Sequence, residues 1–398
     1  MKRDYLPIFL LAFTIRMAIV LIDIIPEPPD APTYYRIAYS LIEGKGYSYE
    51  GVPTAAREPG YPFFLAGIFF IFGKSLFAVK IIQAILNALC ALIIYFIIKG
   101  ISEKRMYGIL GGIIFAINPS LFIQPSYILT EPLVIFILVL HLFFLYGLFF
   151  SKKIPYSFFS GISLSLLILT KSITFLLPIF EVIFILKAIG KPKLVFLFFI
   201  SSYFLVSFWM GRNMIVFNDK NPIRALRRNT NSILLWECIQ IKTPWPMAEI
   251  KWDYLKKKEE EIFASYGLSE GEKYIMKDSI RIFKENPFGV IKNVMKLNLY
   301  SFIEANGAYM LSKKTRWGGF LVRLWHWLAL FFSIIGIFWL FKLGNLKRLY
   351  FLLLLGIYLY FVILLIPCFP IPRYYVPILP IANIFAACGL GYIIFRKT

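Results

Sequence analysis

Ten apolar stretches punctuate the chain, at residues 6–25, 76–98, 107–122, 131–150, 155–170, 172–187, 193–211, 319–341, 349–366 and 376–395. A helix needs about 20 mostly apolar residues to cross a bilayer, because the hydrocarbon core is about 30 Å thick. Water is absent there, so the backbone must bond to itself, and a single segment manages that only as a helix. The pattern predicts an all-α polytopic membrane protein with about ten transmembrane helices. Composition supports it: 59% of the 398 residues are apolar and 16% charged, against about 45–50% and about 25% in soluble domains. A soluble globular or disordered chain is excluded. The third and fifth stretches are short. Phe63 to Phe72 is apolar but too short to span, and reads as a helix at the interface or folded back. Leu6 to Ile25 lacks a small-residue cleavage site and reads as a span, not a removable signal.

Charge orders the spans. One set of breaks carries fifteen cations: Lys2, Arg3, Lys99, Lys104, Arg105, Lys152, Lys153, Lys187, Lys191, Lys193, Lys342, Lys347, Arg348, Arg396 and Lys397. The opposite short loops carry Arg36, Lys45, Arg57, Lys171 and Arg373. The positive-inside rule then predicts a plasma-membrane protein with both termini cytoplasmic. The net charge of +21 is explained largely by these clusters and calls for no nucleic acid. Three regions follow: a transmembrane half over 1–211 with a catalytic external loop at 26–62, an extracytoplasmic segment at 212–318, and a C-terminal transmembrane part at 319–398. The middle segment reads as a small mixed region with helices around Lys251–Ala264 and Glu270–Lys284, the Lys256–Glu261 run forming a solvated face.

The two external regions hold the chemistry. In the first loop, Tyr34, Ala38, Leu41 and Ile42 share one face of a short juxtamembrane helix that Gly44 and Gly46 end. Asp30, just before it, reads either as a helix cap or as a general base at the mouth of a membrane cavity. The loop closes with Arg57-Glu58-Pro59-Gly60-Tyr61-Pro62, a rigid turn that presents Arg57 at headgroup depth. Arg57 is either a snorkelling anchor or a specific phosphate clamp. Thr130-Glu131, Lys171, Arg212-Asn213 and Arg373-Tyr374 recur at the same level. Together they form a layer of carboxylates and cations suited to a lipid phosphate donor with a proton-accepting group beside it. Within the spans, Arg16, Asp23, Lys80, Glu181 and Arg323 predict polar contacts between helices or snorkelling, and His141 a packing or hydrogen-bonding role.

Several signals are absent. The cysteines Cys90, Cys238, Cys368 and Cys388 form no C-x-x-C pair, and His141 and His326 are the only histidines. No Asp-x-Asp motif is present, so no metal site is predicted, and use of a divalent cation stays open. Gly67 to Ser75 mimics a phosphate-binding P-loop but has five residues between its glycines where four are required.

Taken in order, these motifs resemble the GT-C membrane glycosyltransferases, particularly the protein O-mannosyltransferase-like and aminoarabinose lipid A transferase-like families. The resemblance runs over nearly the whole chain: Arg16 in the first span; Asp30, Tyr34, Ala38, Leu41, Gly44, Gly46 and Tyr47; Arg57, Pro59, Tyr61 and Pro62; Thr130-Glu131; Lys171 where many members have Arg; Arg212-Asn213; and Arg373-Tyr374 with Pro377 and Pro380. Many relatives carry two adjacent acidic residues in the first loop; here Asp30 precedes Ala31. The resemblance implies transfer of a sugar from a polyprenyl-phosphate carrier to a lipid, glycan or protein acceptor on the outer face, without a certain cofactor. Asp30 is the candidate base, with Glu131 second. Arg57, Lys171, Arg373 and Arg212 are the candidate phosphate ligands, and Tyr34, Tyr35, Glu58, Tyr61 and Tyr374 line the cavity. A carboxylate near the acceptor accepts its proton, and the cations stabilise the leaving phosphate in a water-poor site. A single displacement predicts inversion. A flippase for lipid-linked sugars would share the phosphate clamp without needing a base, and a glycan ligase differs only in its acceptor.

Overall fold

The computed structural model describes residues 5–22, 26–218, 249–303, 316–365 and 372–395. Asp23, Cys238, Cys368 and the terminal cations Lys2, Arg3, Arg396 and Lys397 lie outside them. Helices dominate. They are α1 (Tyr5–Ile22), α2 (Ala31–Ile42), α3 (Gly60–Phe72), α4 (Leu76–Ser102), α5 (Arg105–Ile117), α6 (Pro119–Phe122), α7 (Thr130–Ser151), α8 (Ile154–Thr170), α9 (Leu177–Ile189), α10 (Pro192–Phe217), α11 (Glu249–Glu285), α12 (Pro287–Ile303), α13 (Arg316–Trp339), α14 (Asn345–Leu365) and α15 (Leu379–Ile394). Short 3-10 turns at Ser172–Leu176 and Pro372–Ile378 lead into α9 and α15.

The ten apolar stretches map onto these elements one for one. Among the described residues eight helical segments are long and apolar enough to cross a membrane, the bent pair α5–α6 makes a ninth, and α8 falls just short at 17 residues. The bend of 59° follows from Asn118-Pro119. Asn118 is extended, its side chain accepts from the Ser120 amide at 3.0 Å, and Pro119 has no N–H to continue the ladder. The α5 carbonyls left over are taken by Arg16. This residue is fully buried and donates to Ala116 O (3.0 Å), Phe115 O (3.3 Å), Ala12 O (3.0 Å) and Asn87 Oδ1. A buried arginine is tolerated here because each hydrogen bond replaces one lost from water.

Polar groups also pin other helices together. His141 on α7 faces the Ser160 carbonyl of α8 through Nδ1 (3.0 Å) and both Glu181 oxygens of α9 through Nε2 (3.1 Å). Between α13 and α15, Gly336 and Gly389 lie against the backbones at Phe385 and Phe332 and leave no room for a Cβ. Small residues permit that close approach in lipid, where packing drives association. Cys90 and Cys388 are buried free thiols.

The first loop is more structured than its sequence suggests. After α2, Ser48–Tyr49 and Val52–Pro53 pair as a two-residue antiparallel hairpin. Glu50 and Gly51, both at positive φ (52° and 82°), make its turn. Helix α3 is 13 residues long and packs on α2. Lys74, bonded to Glu43 of this loop at 2.6 Å, belongs to the same end as Arg36, Lys45, Arg57, Lys171 and Arg373. The basic-loop bias therefore stands at fifteen to six. At the opposite end Lys347 bonds Glu103 at 2.6 Å. The helices foreseen in the middle segment are present as α11, which kinks at Gly267 (φ 72°).

Candidate active site

The site lies at the loop end of the bundle, where α2, α3, α7, α8 and α15 begin or finish. Asp30 precedes α2, but its side chain makes no cap bond, so the cap reading fails. The carboxylate instead turns to two guanidiniums from distant parts of the chain. Arg57 Nη2 donates to Oδ1 at 2.8 Å, and Arg373 Nη2 donates to Oδ2. Burial by itself would raise the Asp30 pKa. The charges of Arg373 and Arg57, with their hydrogen bonds, outweigh it and hold the carboxyl well below the usual carboxylate range. Arg57 also lies over the Tyr34 ring, 5.0 Å from its centre. The Arg373 Nε is buried without a hydrogen-bond partner among the described residues.

A second ion pair stands beside the first. Glu131, in the first turn of α7 and 3% exposed, is 3.4 Å from Lys171 Nζ. Thr130 Oγ1 donates to its other oxygen at 3.3 Å. Lys171 ends α8, where the chain turns extended before the Ser172–Leu176 turn. Tyr374 joins the two pairs: its ring centre is 4.7 Å from Lys171 Nζ and 5.6 Å from the Arg373 guanidinium. Glu58, nearly buried, accepts from Ser172 Oγ at 2.6 Å and from the Ser172 amide at 3.3 Å, tying the first loop to the turn after Lys171.

Asp30, Arg57, Glu58, Glu131, Lys171, Arg373, Tyr34 and Tyr374 therefore converge. Two candidates, Arg212 and Tyr35, sit elsewhere, and Tyr61 stands directly behind Tyr34, their ring centres 5.3 Å apart. Arg212 donates to Thr54 O and Tyr47 O, each at 3.0 Å, and so holds the hairpin against α10. Tyr61 is fully buried and donates to Gln83 Oε1 at 2.9 Å. Tyr35 leans on Tyr39, with ring centres 5.5 Å apart. Sequence reading passed over Gln83, whose amide also donates to Pro125 O and Tyr127 O at 2.9 Å. It thereby ties α3 and the segment before α7 to α4. An amide within an apolar span was the available signal. Tyr47, part of the first-loop motif, donates to Arg57 O at 2.9 Å, a role its sequence position did not reveal, and Ser172 carried no sequence signal of its own. Among the described residues, no three His, Cys, Asp or Glu side chains are grouped to hold a metal ion.

Residues 57–213, from the Arg57 signature to Arg212-Asn213, match the family of dolichyl-phosphate-mannose–protein mannosyltransferases. The oligosaccharyltransferase of Archaeoglobus fulgidus in its apo form superposes with a TM-score of 0.58, at 14% identity, over 99% of this chain and 51% of its own. The chain has the GT-C fold. The same archaeal enzyme, AglB, in complex with an inhibitory peptide and a dolichol-phosphate, gives a TM-score of 0.54 at 13% identity, over 99% of this chain and 51% of its own. ArnT from Cupriavidus metallidurans bound to undecaprenyl phosphate matches at 11% identity, over 98% of this chain and 78% of its own, with a TM-score of 0.45. The chain spans about half the length of the archaeal oligosaccharyltransferase it resembles. Comparison with curated protein sequences gives no match. The resemblance read from the sequence thus holds for the fold along the whole chain, and as a sequence-family match over 57–213. The chain is a multi-pass membrane protein whose fold is similar to that of the archaeal oligosaccharyltransferase.

Proposed function

We propose that this chain is a glycosyltransferase that moves a sugar from a polyprenyl-phosphate carrier to an acceptor at the loop end of its bundle. The basic-loop bias puts that end outside the cell. The observation that carries the reading is the pairing of Asp30 with Arg57 and Arg373. It assembles, from residues 30, 57 and 373, a carboxylate and two guanidiniums in a partly buried pocket. The names of the similar proteins support the donor class, since they include a dolichyl-phosphate-mannose–dependent family and an oligosaccharyltransferase with dolichol-phosphate bound.

In the reaction the acceptor hydroxyl or amine attacks the anomeric carbon. The bond from that carbon to the phosphate oxygen breaks, and its electron pair leaves with the polyprenyl phosphate. The acceptor proton passes to Asp30. A carboxylate gripped by two arginines is a weak base. It becomes competent when the donor phosphate takes over Arg57 and Arg373, because each guanidinium bond it loses raises its proton affinity. Charge-assisted bonds from arginine to phosphate are strong and often bidentate, so the exchange is balanced. Lys171 supplies a third cation for the charge that builds on the leaving phosphate, while Glu131 holds Lys171 and stands as the second candidate base. Inversion at the anomeric carbon follows from single displacement. The acceptor is a lipid, glycan or protein.

The test is to incubate purified protein in lipid with a panel of polyprenyl-phosphate sugars and acceptors and to measure free polyprenyl phosphate. Release that needs both Asp30 and an acceptor supports the reading. Transbilayer movement of the intact donor without release would replace it with a flippase.

A further inference from the structure

Helix α12 buries one face and exposes another that is also apolar. Val294 and Leu297 are buried. Phe288, Ile291, Met295 and Leu299 recur at spacings of three and four and are exposed, Phe288 at 86% and Met295 at 56%. Such residues form one stripe on a helix. Lys292 and Lys296, both exposed, run along its edge. The end of α11 repeats the arrangement: Ile275 and Ser279 are buried, Met276, Ile280 and Phe283 are exposed, and Lys277 and Lys284 flank them. Two successive helices thus present apolar ridges edged with lysine. Such ridges are costly in water.

Their place in the fold indicates what covers them. Helix α12 packs against the Pro372–Ile378 turn, which leads directly into the membrane span of α15. It therefore sits at the level where that span meets the bilayer surface, beside Arg373. A helix with an apolar stripe and flanking lysines lies in the interface plane, its apolar side about 5–10 Å into the boundary between headgroups and acyl chains, and its cations on anionic headgroups.

We infer that α12 and the C-terminal part of α11 rest on the membrane leaflet at the loop end of the bundle, with Phe288, Ile291, Met295 and Leu299 in the lipid and Lys277, Lys284, Lys292 and Lys296 on anionic phospholipid headgroups. This segment is then a peripheral membrane element fixing the margin of the Asp30 site, not a free soluble domain. The reading stands whether or not the chain transfers sugars.

The test uses the full chain with its native cysteines replaced by alanine and one new cysteine, Ile291→Cys or Met295→Cys, with Glu261→Cys as the solvent control. Each carries an environment-sensitive fluorophore and is reconstituted at low protein density into vesicles of phosphatidylcholine with or without phosphatidylglycerol. Size-exclusion profiles check that the variants stay folded. Probes at 291 and 295 should emit at shorter wavelength than the probe at 261. They should be quenched several-fold more by nitroxide-labelled lipid and protected from aqueous iodide. Adding Lys292→Glu and Lys296→Glu should reduce that quenching in phosphatidylglycerol vesicles. Iodide access and no lipid quenching at 291 and 295 would overturn the inference and leave the stripe to a protein partner. Protection that appears only as protein density rises would overturn it in favour of a second copy. Quenching unaffected by phosphatidylglycerol or by the glutamates would overturn the assignment of the lysines.

Discussion

Asp30→Asn separates a proton acceptor from a structural clasp. In the folded chain each Asp30 oxygen takes one guanidinium, Oδ1 from Arg57 and Oδ2 from Arg373. Asparagine keeps one oxygen and turns an NH2 group toward the other arginine, where donor meets donor. One charge-assisted hydrogen bond is lost, a change of about 1.5–3 kcal/mol, in a pocket where the three side chains are only 22–30% exposed. The variant should therefore melt lower than wild type. Its pH dependence has a definite sign. The folded Asp30 pKa lies below its unfolded value, so its contribution is complete above about pH 3.9 and fades as pH falls through the folded value. The difference in thermal stability between wild type and Asp30→Asn should then stay level from pH 8 to about 5 and shrink only in stronger acid. Function should split the other way. Arg57 and Arg373, no longer neutralised, bind polyprenyl phosphate at least as tightly as before, whereas turnover falls about 100-fold or more because an amide accepts no proton. Undecaprenyl phosphate binding by thermophoresis and polyprenyl phosphate release report the two quantities. Normal turnover in Asp30→Asn would refute the base assignment. Loss of donor binding with turnover otherwise intact would make Asp30 a clasp alone.

Other substitutions test neighbouring parts. Arg57→Ala and Arg373→Ala each remove a charge-assisted contact of about 1.5–3 kcal/mol, so donor affinity should fall roughly 10–100-fold while the protein still purifies as a monodisperse species; unchanged affinity would remove the clamp. Gln83→Leu strips partners from Tyr61 and from the carbonyls of Pro125 and Tyr127, at about 1–3 kcal/mol for each buried group left unsatisfied. Its melting temperature should drop clearly, and an unchanged melt would show the bridge is dispensable. Impermeant thiol reagents applied to intact cells should label a cysteine at Lys257 and not one at Lys153; the reverse would invert the orientation set by the basic loops.

The sequence by itself determined the architecture. Apolar length and the lack of water in lipid leave helices as the only economical way to satisfy the backbone, so ten stretches could be counted and then found. The two-motif first loop, Asp30 with Arg57, was legible because charged residues near headgroup depth are few and therefore conspicuous. What the sequence could not decide was which charges meet. Residues 30 and 373 are neighbours only because α2 and the Pro372–Ile378 turn that leads into α15 start at the same corner, and Arg212, equally cationic, is drawn instead onto the carbonyls of Tyr47 and Thr54. The cap reading of Asp30 was sound local chemistry. It lost because two guanidiniums offer a carboxylate more than a helix N-terminus does. The break at Asn118-Pro119 was written in the proline, but its repair by Arg16, about 100 residues earlier, was not. Local signals report what a backbone needs; tertiary structure decides which distant side chain supplies it, since that depends on distances no linear spacing encodes.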